Sequence, residues 1–443
     1  METKNNHTHD PKFWLPPLYF AEGLPAAVIT EVSLLLFQFF GMSNSAIAFW
    51  TNFLGLVPLI FVKIFCAPLV DMLSTRRRWI INGQFILACL FFAVSLVCFT
   101  ATPIPLLITL FFCASLVSGI HDIAADGFYI IALNDHEQAL YSGLRSVFFR
   151  VAMVVGSGVF VVFAGLLVKY DIVPERYAWI ISMFIAALML GGIAFYCRIM
   201  LPCAAGDIPG KEMAGKQLFA DFVQSFLTFF RKEHVLEVLL FLLLYRLGEA
   251  QLLVMSKLFL LGEDGLHLPK DQYGMMVGVA GVLMMLAGGV LSGFLAARYG
   301  LKKMLLPMAF AINAPDVLYL LLAFLSAPPV WFTGSCVAVE QFGYGFGFTG
   351  FMLFMVWFAS TGSDHFKTGH FALMTVFMII GIRLPGMPSG WIAEKLAEQA
   401  FFGWTEYQLF FLWVLICTIP GFLVTARVKG IVPADYGRKK RDV

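Results

Sequence analysis

Unbroken apolar runs dominate this chain. Phe85–Phe99 and Leu409–Val424 contain no charged residue at all. A helix needs about 20 mostly apolar residues to cross the hydrocarbon core of a bilayer. A membrane β-strand would instead show stretches of about 10 residues alternating apolar and polar. The runs are solid, so they predict membrane-spanning helices. Composition agrees: of 443 residues, 60% are hydrophobic and 13% charged, where a soluble domain carries roughly 25% charged residues. Most of the surface must therefore meet lipid.

The reading is an all-α polytopic membrane protein with about twelve spans. They fall near 14–40, 46–70, 79–100, 103–130, 145–168, 177–199, 235–260, 273–297, 303–325, 330–359, 369–395 and 404–426. The longest polar stretch, 200–234, divides an N-terminal six-helix bundle (1–199) from a C-terminal one with a short tail (235–443). Basic residues flank the cytoplasmic ends of membrane helices. With both termini cytoplasmic, 21 lysines and arginines fall inside and only Lys169, Arg176, Lys270 and Lys395 outside. An odd helix number would destroy that asymmetry. The polar start METKNNHTHDPK shows no cleavable signal pattern, so the first apolar segment reads as a retained helix. The eight cysteines are scattered without a CxxC, which excludes a disulfide framework and a zinc site from the reading.

An internal repeat supports two halves. Ala67-Pro68-Leu69-Val70-Asp71 with Arg76-Arg77-Arg78 follows the second span, and Gly293 to Lys303, including Arg298 and Lys302, follows the eighth. The later segment resembles the G-x-L-a-D-R-x-G-R-K loop of the major facilitator superfamily, and the earlier one is a degenerate copy. The resemblance implies a cytoplasmic latch built from Asp71, Arg77, Arg78, Arg298 and Lys302. The competing reading is that these basic clusters set topology alone. The same offset aligns Glu22-Gly23 with Gly248-Glu249. Parallel halves built of inverted triplets fit that superfamily's plan.

Charges within the spans are the strongest functional signal. Glu22, Glu31, Asp122, Asp126, Arg150, Arg246, Glu249, Lys257, Asp316, Glu340 and Arg383 all lie there. Each costs about 2.5 to 3.5 kcal/mol near the bilayer centre on insertion scales, and such residues mark substrate or ion paths. Asp122 and Asp126 share a helix face, and paired desolvated acids raise one another's proton affinity. His121 sits about 100° away and reads as a hydrogen-bonded structural residue. Arg246, Glu249, Leu253 and Lys257 fall on one face of a continuous seventh helix; the first two either serve the pathway or neutralise each other. Arg150 and Arg383 occupy corresponding spans and are suited to grip a carboxylate.

Glycines surround these charges, and small residues let helices approach and rock. Gln341 to Phe348 alternates glycine with aromatics, so Tyr344 and Phe346 read either as sugar-stacking rings or as a packing seam. GxSxG, HExxH and P-loop motifs are missing, which disfavours ATP-driven transport and catalysis. The expectation is a transporter without metal or cofactor, not an enzyme and not a nucleic-acid binder.

Several strings in order resemble the AmpG-type muropeptide permeases. They are Tyr19-Phe20-Ala21-Glu22-Gly23-Leu24-Pro25, Lys63 to Asp71 with Arg77-Arg78-Trp79, Asp122 with Asp126, Arg150 with its glycines, Tyr245-Arg246-Leu247-Gly248-Glu249-Ala250, Glu340, and Arg383. The acetyl-coenzyme A transporters share parts of this set. The resemblance implies a proton-driven importer of amino sugars or anhydro-muropeptides in the bacterial inner membrane. In it, Asp122, Asp126, Glu249 and Glu22 would handle protons. Arg150, Arg246, Glu340, Arg383, Tyr344 and Phe346 would face the saccharide. A monomer in the lipid bilayer is the expected state. Bare N-acetylmuramic acid, another saccharide or a coenzyme A ester stay open as cargo, as does a transporter-like sensor; four cations against seven acids in the spans speak against a polyphosphate.

Overall fold

A computed structural model describes residues 10–62, 70, 73–100, 103–133, 135–204, 207, 224, 226–325, 327–361, 367–399, 403–434 and 436. Among them every regular element is helical. In chain order the membrane helices are α1 (Pro11–Phe39), α2 (Asn44–Phe61), α3 (Arg76–Val97), α4 (Ile104–Ala132), α5 (Asp135–Val154, continued through Phe160–Lys169), α6 (Glu175–Met200), α7 (Val235–Leu261), α8 (Lys270–Tyr299), α9 (Leu301–Ala323), α10 (Val330–Ser360), α11 (Lys367–Gly386, then Ser389–Glu398) and α12 (Glu406–Lys429). Eleven of these are long and apolar enough to cross a membrane. The other, α2, runs for 18 residues and ends beside residues outside the described set. The chain is a multi-pass membrane protein with the expected all-α architecture.

Local signals explain where helices begin. Asp10 accepts from the Lys12 N–H ahead of Pro11, and Thr75 accepts from the Arg78 N–H. Thr405 and Gln408 form a capping box at α12. Asp207 accepts the Arg76 and Arg77 backbone N–H groups at 2.7 and 2.9 Å, so α3 starts on a carboxylate supplied by a residue beyond α6.

Contacts divide the chain into two compact units: Met1–Met42 with Leu54–Ala220, and Ser43–Phe53 with Asp221–Val443. The first half of α2 thus belongs with the second unit. There Asn44 donates to the Tyr407 hydroxyl at 3.5 Å, and Gly390 and Gly386 leave room for Ser45 and Asn52. The core of the first unit gathers Trp14, Leu18, Tyr19, Ile80 and Phe128. That of the second gathers Phe241, Tyr245, Phe351, Phe354 and Met308.

The helices are irregular where the sequence placed charge or glycine. α1 widens to a π turn at Val28–Val32, which contains Glu31. α5 does the same at Val155–Val159, and there Gly156 lies against Ala27 of α1. A 3-10 turn, Ala314–Asp316, interrupts α9. α7 is broken at Tyr245–Arg246, so the continuous seventh helix expected from the sequence is two segments, Val235–Leu244 and Leu247–Leu261. The Tyr245 hydroxyl donates to the Gly347 carbonyl at 3.0 Å and fastens the break to α10. Backbone irregularity at membrane depth is tolerated where protein or water satisfies it.

The glycine string of α10 resolves into two faces. Gly345 abuts the Met285 carbonyl of α8, while Gly343 and Gly347 abut Ala311, Ile312 and Met308 of α9. No Cβ fits at those contacts. Changing Gly345 to Ala is therefore expected to destabilise the second unit by about 1 to 3 kcal/mol. Gly293→Ala, where a Cβ meets nothing within 4 Å, is expected to be neutral or slightly stabilising. Thermal unfolding of the two variants in one detergent checks the contrast.

Candidate functional site

In the first unit the acids of α4 do not act alone. Asp126 is ion-paired with Arg145 of α5. That guanidinium lies 4.7 Å from the ring centroid of Tyr19 and 5.7 Å from that of Tyr129. The two tyrosines meet edge-on at 6.0 Å. Buried Glu22 acts electrostatically on both Arg145 and Tyr19. Asp122, one turn before Asp126, is partly exposed, with Oδ1 3.9 Å from the His121 Nδ1. His121 is fully buried and its Nε2 hydrogen-bonds the Gln84 side chain at 3.1 Å, a structural arrangement. Arg150 is exposed and forms no ion pair with a described residue.

In the second unit a guanidinium again meets an acid and two rings. Arg246 donates through Nε and Nη2 to both carboxylate oxygens of Glu249, at 2.7 and 2.6 Å. Its Nη2 also donates to the Tyr344 hydroxyl at 3.2 Å. The rings of Tyr344 and Phe348 lie 5.4 and 5.0 Å from the guanidinium and stack on each other at 5.7 Å. Arginine and acid are both only 6% exposed. Two parallel charge-assisted bonds with aromatic faces are what a buried guanidinium requires. Glu340 is buried and accepts from Gln341 at 2.9 Å. Asp316 is 2% exposed, and among the described residues its Oδ2 has no hydrogen-bond partner. Lys257 and Arg383 are half-buried on α7 and α11.

Phe346 is not part of this face. It sits in the core against Phe342, and its carbonyl accepts from Ser292 of α8. Two residues along a helix is about 200° away from Tyr344, whereas Phe348 at i+4 shares its face. Helical spacing was the available signal for Phe348. Arg145 had no local signal: it reads as a topology marker until α4 and α5 are packed.

Of the expected latch residues, Arg77, Lys302 and Arg298 have partners within their own units. Arg77 caps the end of α6, donating to the Leu201 and Arg198 carbonyls at 3.0 and 2.6 Å, and the Arg78 side chain is exposed. Lys302 reaches the Gly430 carbonyl at 3.4 Å, and Arg298 covers the ring of Tyr299 at 5.4 Å. Asp71 lies outside the described residues.

The sequence profile of the Major Facilitator Superfamily matches residues 18–390. This chain belongs to that superfamily. It is a membrane transporter by family. Among curated relatives it is 22% identical over 430 residues to the anhydromuropeptide permease of Escherichia coli (strain K12), covering 92% of this chain and 77% of that one. It is 24% identical over 358 residues to the putative transporter AmpG 3 of Rickettsia prowazekii (strain Madrid E), covering 77% and 80%. Within the superfamily it is thus similar to AmpG-type permeases. Its fold matches the nucleoside transporter NupG (TM-score 0.66, 14% identity, 95% and 99% coverage). It also matches a bacterial homolog to the human lysosomal transporter Spinster in an inward-facing and unoccupied conformation (TM-score 0.67, 15% identity, 93% and 95% coverage).

Removing one partner of a buried ion pair strands the other. Arg246→Met and Glu249→Leu are each expected to cost about 3 to 5 kcal/mol, and the double variant to recover most of that loss. Unfolding of all four proteins in a double-mutant cycle tests the pair.

Proposed function

We propose that this transporter imports peptidoglycan-derived amino sugars or anhydro-muropeptides from periplasm to cytoplasm, coupled to protons, by alternating access. It would sit as a monomer in the bacterial inner membrane with both termini cytoplasmic. The observation that carries the reading is the Arg246 cluster: a guanidinium held by Glu249 beside the stacked rings of Tyr344 and Phe348. Such a cluster matches a ligand with both an anion and a sugar face. The guanidinium suits a lactyl or peptide carboxylate, and the rings suit a pyranose. A relative named for anhydromuropeptide transport supports the choice of cargo.

Roles follow from chemistry. Asp122, Asp126, Glu249 and Glu22 exchange protons, with Arg145 and Arg246 setting the charge balance around them. Arg150 and Arg383 offer further guanidinium groups to the substrate carboxylate, and Glu340 accepts from its hydroxyl or amide donors. Asp71, Arg77, Arg78, Arg298 and Lys302 steady the cytoplasmic ends between states.

The expected outcome is measured in vesicles with labelled N-acetylglucosaminyl-anhydro-N-acetylmuramic acid. The parent accumulates it under an inward proton gradient and loses accumulation when a protonophore collapses that gradient. Asp126→Asn still exchanges substrate but does not accumulate it. Full accumulation by Asp126→Asn, still sensitive to the protonophore, contradicts the coupling role.

A further inference from the structure

Asp316 stands apart from the groups given roles above. It closes the 3-10 turn that interrupts α9, directly after Pro315. Its side chain is buried, and among the described residues Oδ2 meets no hydrogen-bond donor. It lies against Gly248, where a Cβ would sit 3.3 Å from Oδ2. Gly248 and Glu249 belong to the α7 segment that starts at the break, so Asp316 faces the same turn that presents Arg246.

The surrounding charges are acidic. Glu340 of α10 and Glu249 of α7 both act on Asp316 electrostatically. Arg246 is committed to Glu249 and Tyr344, and Lys257 acts on Glu340. On its own helix the nearby titratable group is the buried hydroxyl of Tyr319. The middle of α12, which brings Thr418 to Gly248, carries Cys417 and no charged residue. A carboxylate left in such a place without a donor or a cation costs far more than a neutral carboxyl. Among the described residues no three His, Cys, Asp or Glu side chains converge to hold a metal ion there.

We propose that Asp316 is a proton-binding site whose occupancy is linked to anion binding at Arg246. This rests on the proton-coupled reading above and adds a carboxyl to it. The carboxylate takes one proton from water and becomes a neutral carboxyl; no other bond changes. When a substrate carboxylate draws Arg246 away from Glu249, that acid loses its counter-charge. The negative potential at Asp316 then rises, and the proton is held more tightly. Linkage is reciprocal, so a protonated Asp316 strengthens anion binding by the same factor. Proton and substrate would then bind together and leave together.

The test measures affinity of the purified protein for anhydro-N-acetylmuramic acid by calorimetry between about pH 6 and about pH 9. One linked proton weakens binding by up to about tenfold per pH unit above its titration point, with matching proton uptake. In Asp316→Asn, an isosteric mimic of the neutral carboxyl, affinity is expected to lose this slope and proton uptake to vanish. A second arm records the infrared carbonyl stretch of a protonated carboxyl in protein that keeps Asp316, grown with carbon-13 aspartate. In labelled protein that also carries Asp122→Asn and Asp126→Asn, the other aspartates of the spans, an isotope-shifted aspartic acid band at neutral pH supports the site even where Asp316→Asn fails to fold. Full slope and uptake in Asp316→Asn, dependence on sodium in place of protons, or no such band in the labelled protein would each overturn it. Absence of any binding by the sugar counts against the proposed cargo, and the infrared arm still decides Asp316.

Discussion

A guanidinium in the interior of a membrane protein has to be neutralised where it sits. Arg246 meets that demand with both oxygens of Glu249, a tyrosine hydroxyl and two aromatic faces. Much of the local architecture follows. The bidentate pair spans i to i+3, and its arginine stands on the non-helical backbone where α7 breaks at Tyr245–Arg246. The break needs its own support, which the Tyr245 hydroxyl finds on the Gly347 carbonyl. That reach works because α10 carries glycine where α8 and α9 press against it. The glycine-rich seam and the buried charge are parts of one arrangement.

The first unit meets the same demand differently. Arg145 comes from α5, its acid from α4, and its rings from α1 and α4. The Asp126–Arg145 pair is about a third to a half exposed, so solvent screens it and it contributes little to stability. The Arg246–Glu249 pair is almost wholly enclosed, where losing one partner is strongly destabilising. The two pairs thus differ in how far water reaches their acids. Tyr19 and Tyr245, separated by the repeat offset seen in the sequence, are both fully buried, so the likeness of the halves extends to core residues.

The spans were readable because hydrocarbon demands long apolar segments, and Phe85–Phe99 or Leu409–Val424 admit no other reading. The face shared by Tyr344 and Phe348 was also accessible, since i and i+4 align on any helix; alternation with glycine drew attention to Phe346, which the structure buries against α8. Other features could not be read. Leu244-Tyr245-Arg246-Leu247 has no glycine or proline to announce a break, and the break is fixed by partners on α10. The Asp126–Arg145 pair joins residues with no local spacing rule. Asp316 was visible as a charge in a span, but its missing partner is a property of packing. The membership of Ser43–Phe53 in the second unit depends likewise on Tyr407, Gly386 and Gly390, far along the chain.

Transport by this route requires the Arg246 face to meet water and substrate, not lipid tails. The most direct measurement places a single cysteine at Tyr344 in a protein whose eight native cysteines are replaced, and follows its reaction with a membrane-impermeant maleimide. Rapid labelling that anhydro-muramyl sugar slows is expected, with Val290→Cys, on the exposed side of α8, unreactive under both conditions. Labelling of Tyr344→Cys no faster than Val290→Cys, or unaffected by saturating sugar, would contradict it.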